Sequence, residues 1–189
     1  MDDIIDIDET LLCAKEFESR YAWSYVGGPA YGVQLVIDGN AYSTIAAYTP
    51  MGFIAWSIYE GSVTALEFNH FLNVHLQNKV ADNGVVLVDN ARIHKTTASK
   101  TKLEEVTGGR YAFVPAYSPD FKPIELGFAN IKQFLRKHEY EAVVSPVLWI
   151  DKAFQHYSQY GDGSGAGKGL MYYITIFKLI QPYFIVCFF

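Results

Sequence analysis

The stretch VVLVDNARIHK, from Val85 to Lys95, places four apolar residues directly before a carboxylate, that of Asp89. A continuous apolar run of this kind is typical of a β-strand that is covered on both faces. Such a run seldom ends in an acid unless a group at the edge of the sheet binds that acid. Asp89 is therefore a candidate functional residue, and the segments around it indicate the function.

These segments predict a mixed order of strands and helices. IIDIDE at 4–9 predicts a first strand, and 31–61 predicts two or three antiparallel strands with the hairpin turn DGN at 38–40. A helix follows from Thr64, which forms a capping box with Glu67, then the strand before Asp89, a helix near 99–106, a strand at 111–116 and a helix from Pro123. Three antiparallel strands followed by β, α, β, α predict an α/β fold, a mixed sheet with helices on both faces, of which the ribonuclease H-like arrangement is one known example.

Composition limits the class of protein. The 189 residues suit one domain, or one domain with a tail, and half of them are apolar, so a sizeable core can form. A formal net charge of −5 argues against binding nucleic acid by bulk charge alone. Cys13 and Cys187 are too few for a disulfide framework, and the acidic amino terminus has no signal peptide pattern.

The composition changes after residue 158. We predict a catalytic domain at 1–158, a linker rich in glycine and serine at 159–170, and an apolar tail of uncertain structure at 171–189. The tail is a poor membrane span because it contains Lys178, Gln181 and Pro182, so a membrane partner is not expected. A docked tail, a disordered tail and a reading frame that has left its ancestral sequence remain open.

The predicted order of elements can bring three acids together. Asp8 lies on the first strand, Asp89 ends the later buried strand, and Glu125 falls in the first turn of a helix. If the two strands are neighbours, their acids meet at one edge, and the glutamate can complete a three-carboxylate cluster. Carboxylates that close repel one another unless a cation joins them, and oxygen ligands without a thiolate suit Mg²⁺ or Mn²⁺.

Such a cluster has a natural chemistry. Two divalent ions about 4 Å apart can activate a water or a 3′-hydroxyl and stabilise the leaving oxygen in an in-line displacement at phosphorus. The predicted reaction is phosphodiester cleavage or strand transfer. Three acids alone are weak evidence in a chain with 20 Asp and Glu, since an acid is more often a solvated surface charge or a helix cap.

Three blocks strengthen this interpretation: IDET at 7–10 with RYAWSYVGGPA at 20–30, VVLVDNARIHK at 85–95, and VPAYSPDFKPIELGFANIK at 114–132. They resemble the signature blocks of the mariner-like transposases and their bacterial insertion-sequence relatives, in the DDE endonuclease superfamily. Their order matches, and the 35 residues between Asp89 and Glu125 are similar to the short second spacing of that family. The YSPD-x-x-PIE block is the most specific, and the resemblance covers roughly residues 4–158.

The resemblance implies a ribonuclease H-like DDE catalytic domain that cleaves DNA and transfers strands during transposition. Its catalytic and metal-binding triad would be Asp8, Asp89 and Glu125, with Mg²⁺ or Mn²⁺, as two ions, for the cofactor. DNA is the implied partner, together with further copies of the chain or an intact transposase. A nuclear location is implied if the source is eukaryotic.

Residues matched around the triad are expected to shape the site rather than to carry the chemistry. Asn90, His94 and Asp120 are the main candidates. His94 either donates a hydrogen bond to a site carboxylate or packs beneath the loop. For Asp120 we favour a role in bracing the loop before the helix.

Side-chain alternation separates the acids of the first strand. Asp6 and Asp8 share one face of that strand, whereas Glu9 points to the other. Asp8 matches the family block, and Asp6 is a candidate partner behind it.

Helix geometry adds a candidate DNA contact. At 100° per residue, Lys132 and Arg136 lie within about 20° of Glu125 around the helix axis. We expect them to form a basic strip along the path of a DNA backbone, the alternative being an ordinary solvated helix face. Three other lysines could extend that surface or be simple loop charges: Lys95, Lys100 and Lys102.

Departures from the family define the rival hypotheses. Relatives carry helix-turn-helix modules ahead of the catalytic domain, whereas here the first strand begins almost at Met1, so that module and its sequence-specific affinity are expected to be missing. A non-catalytic, truncated transposase remnant that acts as a protein-interaction module is the alternative function. A structure-selective nuclease of the same fold is a third, and would cleave without preference for terminal repeats.

Overall fold

The strand built around the IDET block lies at the centre of the sheet. The computed structural model describes residues 4–13, 24–29, 41–114 and 122–158. Within them the strands are β1 (Ile4–Leu12), β2 (Tyr42–Thr49), β3 (Gly52–Glu60), β4 (Val85–Val88) and β5 (Tyr111–Phe113). They form one sheet in the order β3-β2-β1-β4-β5. β2 pairs antiparallel with β1 and with β3, and β4 runs parallel to both β1 and β5.

Helices connect and cover these strands. The first begins at the predicted capping box, where the Thr64 side chain accepts a hydrogen bond from Leu66 N–H and the Glu67 carboxylate accepts one from Thr64 N–H. The helices are α1 (Ala65–Phe71), continued by π-type hydrogen bonding over Leu72–Leu76, then α2 (Thr97–Thr107), α3 (Ile124–Lys137), α4 (Glu139–Val144) and α5 (Pro146–His156), with a 3₁₀ turn at Arg92–Lys95.

The two faces of the sheet carry separate cores, because side chains alternate along β1. Ile5 and Ile7 pack with α1 and α2 in one core, and Leu12 packs with α3 and α5 in the other. The mixed sheet with helices on both faces, predicted as three antiparallel strands followed by β, α, β, α, is therefore confirmed.

Helix α3 lies against β2 and β3 through an apolar stripe. Ile124, Phe128, Ile131 and Leu135, the residues predicted to be buried, are all 3 % exposed or less. Gly127 allows the close approach, because a Cβ there would lie 2.7 Å from Cζ of Phe53. This packing fixes the first turn of α3, which carries Glu125, relative to the sheet.

Pro123 lies one residue before α3 rather than at its first position. Its φ of −59° and ψ of −25° are already helical, so prediction and structure differ by a single residue. The rigid φ of proline starts the helix as expected.

Several predicted features fall outside the described residues. They are the strand and hairpin turn at 31–40, Asp120 with its loop, the linker at 159–170 and the tail at 171–189. In the described part of the chain, no helix has both the length and the apolar character needed to span a membrane.

Candidate metal and nucleic-acid site

Strand pairing brings Asp8 and Asp89 to the same edge of the sheet. β1 and β4 run parallel, and Ile7 is paired with Val88. The next residue of each strand is an acid, so Asp8 and Asp89 follow neighbouring positions. This is the adjacency on which the predicted carboxylate cluster depended.

Asp6 and Asp8 face the start of α3, and a lysine lies between them. The Lys122 ammonium is 2.6 Å from Oδ2 of Asp8, and the backbone N–H of Glu9 donates to Oδ1 of Asp8 at 2.9 Å. Oδ2 of Asp6 accepts a hydrogen bond from Ile124 N–H at 3.3 Å. Among the described residues, the buried Oδ1 of Asp6 has no hydrogen-bond partner.

Burial and charge act in opposite directions on this group. Burial raises the pKa of Asp6 to about 8, although the Lys122 charge opposes the rise. Burial also raises the pKa of Asp8, again against Lys122. For Lys122 itself, burial lowers the pKa, but the carboxylates of Asp8 and Asp6 outweigh burial and raise it. The site therefore holds Lys122 as a cation among acids that it does not fully neutralise.

Asp89 is held in its anionic form. Its Oδ1 accepts hydrogen bonds from His94 Nδ1 at 2.6 Å and from Ala91 N–H at 2.8 Å. The hydrogen bond from His94 is the main reason that the pKa of Asp89 falls to about 2, against the opposing effect of burial. In the described parts of the chain, the other oxygen, Oδ2, receives no hydrogen bond.

His94 makes the predicted hydrogen bond and also packs beneath the loop, so the two interpretations are compatible. Its ring lies 4.2 Å from the Phe68 ring, centroid to centroid, and the residue is 0 % exposed. Its second nitrogen, Nε2, is 2.8 Å from Oε1 of Glu9. Burial lowers the pKa of His94, but the hydrogen bonds to Asp89 and Glu9 together outweigh it and raise the pKa to about 9.

Glu125 lies at the rim of the site, in the first turn of α3, where it is exposed. Its charge reaches the site, because it contributes to the raised pKa of Asp6. Across residues 4–13, 24–29, 41–114 and 122–158, no group of three or more His, Cys, Asp or Glu side chains could hold a metal ion. Strand pairing thus brings Asp8 and Asp89 to adjacent positions, and the triad with Glu125 stays a prediction.

Asn90 acts on the backbone beside the site. Its side-chain amide donates to the carbonyl of Val114 at 2.5 Å, which ties the end of β4 to the end of β5. Asp120, the other residue expected to brace the site, lies outside the described residues.

The basic side chains divide between the two faces of the sheet. Lys132 is partly buried and Arg136 is exposed on α3, which also presents Glu125 to solvent. Lys100 and Lys102 lie on α2, which packs on the opposite face, and Lys102 pairs with Glu105. These two lysines therefore cannot extend a strip along α3, which corrects that part of the sequence interpretation.

Two residues of the site were not singled out from the sequence as site residues. Lys122 lies within the YSPD-x-x-PIE block at one of its variable positions, so the motif itself carried no signal for it. Glu9 points away from Asp8, as alternation predicted, but its contact with His94 joins residues 85 apart in the chain. A local sequence pattern cannot predict a contact between residues that far apart in the sequence.

The donors of the site suit a hard divalent cation. Oδ1 of Asp6 is buried without a described partner, and the carboxylates of Asp8, Asp6 and Asp89 all act on the single ammonium of Lys122. Carboxylates without a thiolate are the ligands that Mg²⁺ and Mn²⁺ accept in incomplete protein cages. Asp8, Asp89 and Glu125 are the residues that would hold such an ion.

The class of protein to which the chain belongs follows from a family model, in agreement with the fold and the site. Residues 3–144 match the model of the DDE superfamily endonucleases, and the chain belongs to that family. No match was found among curated proteins.

The fold is similar to that of solved transposase structures. The chain is similar to Mos1 transposase in a pre-cleavage transpososome, with a TM-score of 0.69 and 20 % identity over 96 % of this chain and 56 % of that one. It also resembles the catalytic domain of Mos1 mariner transposase, with a TM-score of 0.62 and 18 % identity over 94 % of this chain and 79 % of that one. The predicted ribonuclease H-like fold is thereby confirmed, and the chain spans 56 % of the transposase chain in the transpososome.

Proposed function

We propose that this chain is the catalytic domain of a mariner-like transposase and that it cleaves and joins DNA strands during transposition. The observation that carries the proposal is the parallel pairing of β1 with β4, whose last pair, Ile7 with Val88, is followed in each segment by an acid, Asp8 and Asp89. Glu125 lies in the first turn of α3. Membership of the DDE superfamily endonucleases supports a nuclease-type reaction at this edge.

The proposed cofactor is Mg²⁺ or Mn²⁺, as two ions. When bound, the ions would activate a water or a 3′-hydroxyl and stabilise the leaving oxygen in displacement at phosphorus. A Mos1 mariner paired-end complex has been solved with Mn and another with Mg, which supports the same choice here.

Side chains of this protein would bind the ions and the DNA. Asp8 and Asp89 would bind the cofactor from the sheet, and Glu125 from α3. Lys122 compensates the charge of Asp8 in the protein described here. Lys132 and Arg136, on the same helix as Glu125, would contact the phosphates of DNA leading to the site.

DNA is the proposed substrate, and further copies of the chain or an intact transposase are proposed partners. The similar Mos1 structures include a paired-end complex with the left transposon end and a strand transfer complex. This chain spans 56 % of the Mos1 chain in the transpososome, and the step that we propose for it is the chemical one.

Nicking of supercoiled plasmid in Mn²⁺ tests the proposal. The comparison includes the full chain, a version that ends before Gly161, and Asp89→Asn in each. We expect nicking by the unaltered proteins and a loss of at least 100-fold in Asp89→Asn, because a ligand essential to the transition state is removed. Nicking that persists in Asp89→Asn would assign the activity to a contaminant or to another site.

The alternative is a remnant that acts as a protein-interaction module, and one observation favours it. Four apolar side chains of α4 and α5 are 49 to 67 % exposed: Tyr140, Val144, Val147 and Leu148. Light scattering of the full chain and of Val144→Glu with Leu148→Glu distinguishes the two functions when read beside nicking. A remnant would associate through this surface without nicking DNA, and the double variant would remain monomeric.

A further inference from the structure

Three side chains in contact link Glu9 to the predicted ligand Asp89, with the buried His94 between two partly exposed carboxylates. Oε1 of Glu9 is 2.8 Å from Nε2 of His94, and Nδ1 of His94 is 2.6 Å from Oδ1 of Asp89. The two acids come from different strands, β1 and the end of β4, and His94 comes from the 3₁₀ turn that follows. His94 therefore contacts both acids, one through each ring nitrogen.

The hydrogen-bonding direction follows from the groups present. An ionised carboxylate accepts hydrogen bonds and cannot donate them, so each ring nitrogen of His94 has to donate. The Nδ1–H of the ring donates to Asp89, and the Nε2–H donates to Glu9 on the opposite side, so the ring is held from both ends.

Packing leaves the ring of His94 little freedom. The residue is fully buried, with its ring centroid 4.2 Å from that of Phe68 on α1. A ring rotation by half a turn would break both hydrogen bonds inside the core, where polar groups without partners are costly. The position of Glu9 consequently determines the orientation in which His94 meets Asp89.

The hydrogen bonds that the described residues make to the Asp89 carboxylate fall on one of its two oxygens. Oδ1 accepts from His94 and from Ala91 N–H, whereas Oδ2 receives no hydrogen bond from the described residues. Two donors on Oδ1 fix the plane of the carboxylate. Oδ2 is then the oxygen that is left to bind a cation.

We propose that Glu9 is a positioning residue for the metal site: through His94 it orients the carboxylate of Asp89 so that Oδ2 is presented to the cation. This inference rests on the proposed function. Glu9 itself is not a ligand, because its side chain lies on the face of β1 opposite to Asp8 and contacts His94 instead. The arrangement follows the general rule that groups behind a metal ligand fix its geometry and tune its affinity.

The test measures Mn²⁺ affinity of the full chain by electron paramagnetic resonance of unbound Mn²⁺. The variants are Glu9→Ala, which removes the acceptor, and Glu9→Gln, whose amide oxygen can still accept from Nε2–H. Glu105→Ala is the matched control, since Glu105 is an exposed acid on α2 that pairs with Lys102. Urea unfolding shows which variants are folded, and affinity is compared for folded protein.

We expect Glu9→Ala to weaken Mn²⁺ binding by about 10-fold, the low end of the effect for such groups. Glu9→Gln should stay within about threefold of the unaltered protein, and Glu105→Ala should match it. A purely structural role for Glu9 would lower the stability of Glu9→Ala and leave its Mn²⁺ affinity unchanged.

Nuclear magnetic resonance of histidine ring nitrogens in EDTA tests the same inference without metal. Both ring N–H protons of His94 should be visible in the unaltered protein and in Glu9→Gln, and the Nε2–H signal should be lost or exchange-broadened in Glu9→Ala. Unchanged His94 signals in Glu9→Ala would overturn the proposed role of Glu9.

Mn²⁺ binding by Asp89→Asn distinguishes a failure of the positioning role from a failure of the metal site. If Mn²⁺ binding depends on Asp89, as shown by Asp89→Asn, but not on Glu9, only the positioning role is overturned. If Mn²⁺ does not bind, or binds equally to Asp89→Asn, the metal site fails and the positioning role fails with it.

Discussion

Lys122 places a positive charge beside the buried carboxylates of Asp8 and Asp6. Its ammonium is 2.6 Å from Oδ2 of Asp8 and is itself only 9 % exposed. A buried charge is tolerated only when it is paired, so Asp8 and Lys122 stabilise each other in the protein without metal. A divalent cation at the same carboxylates would compete with this ammonium.

Replacing Lys122 with Met tests that competition. In EDTA, Lys122→Met should lower the free energy of unfolding by about 3–5 kcal/mol, the usual cost of removing one partner of a buried ion pair. Addition of Mn²⁺ should then raise Tm more in Lys122→Met than in the unaltered protein, because the ion replaces the missing charge. Thermal unfolding with and without Mn²⁺ measures both effects, with Lys102→Met, at a partly exposed position of α2, as the control. Equal Mn²⁺-dependent shifts in Tm would exclude competition by Lys122.

Asp6 predicts a pH dependence of stability in the protein without metal. Burial raises the pKa of Asp6 from 3.8 to about 8, so the folded state binds this proton more tightly than the unfolded chain. The stability that the protonated carboxyl contributes is complete below about pH 4 and is lost as the pH rises through about 8.

Asp6→Asn should remove this dependence, because the amide is neutral at every pH. In EDTA, the free energy of unfolding should fall by less between pH 5 and pH 8 in Asp6→Asn than in the unaltered protein. Urea unfolding at the two pH values measures the difference, and Asp82→Asn, at an exposed position, serves as the control. Parallel pH profiles for the unaltered protein and Asp6→Asn would show that Asp6 is ionised when folded.

At the scale of elements, local patterns predicted α1, α2 and α3, whereas α4 and α5 were not predicted. The capping box at Thr64 starts α1, and the apolar spacing of α3 corresponds to the four side chains that the structure buries. These signals are local, because a cap and a helical stripe involve residues within a few turns. How closely α3 approaches the sheet depends instead on Phe53, a residue of β3 far away in sequence.

Gly127→Ala tests the closeness of that approach. Alanine favours a helix by about 1 kcal/mol over glycine, but its Cβ would lie 2.7 Å from the buried ring of Phe53. That ring is held by Phe128 and Phe154, with centroids 5.9 and 4.7 Å away, so it cannot move aside easily. We expect a net loss of about 1–3 kcal/mol in the free energy of unfolding.

The control for this prediction is a double-mutant cycle. Phe53→Leu makes room at the contact, so Gly127→Ala should cost less in that background than in the unaltered protein. Denaturant unfolding of the four proteins gives the coupling energy. A stabilising Gly127→Ala would mean that α3 lies farther from β3 than the structure shows.

For the whole molecule, the negative net charge makes any DNA contact local. A charge of −5 repels the phosphate backbone, so binding requires a basic surface near the site. Lys132 and Arg136 on α3 are the candidates that lie on the same helix as Glu125, whereas Lys100 and Lys102 lie on the opposite face of the sheet.

Two double variants of equal charge separate these surfaces. Lys132→Ala with Arg136→Ala should weaken DNA binding and reduce the salt slope of the binding constant by about 2, one unit for each lost phosphate contact. Lys100→Ala with Lys102→Ala should leave the slope unchanged. Fluorescence anisotropy with a duplex over a range of salt concentrations measures both, and equal losses in the two variants would indicate a general charge effect instead of a contact surface.

The sequence by itself determined the class of fold, the order of its strands and first three helices, and the candidate acids Asp8 and Asp89. It could do so because strand and helix periodicities and the caps of helices are local, and because the three motif blocks follow one another in the family's order. The side of β1 on which Asp6, Asp8 and Glu9 lie also followed from alternation.

Only the tertiary structure decided which side chains surround those acids. The contacts of Lys122 with Asp8, and of His94 with Glu9, join residues from distant parts of the chain. Such contacts depend on strand register, on the depth at which α3 packs and on the path of the turn after β4. The packing of the whole core sets these three features. The residues that determine them are too far apart in the sequence for a local pattern to include them.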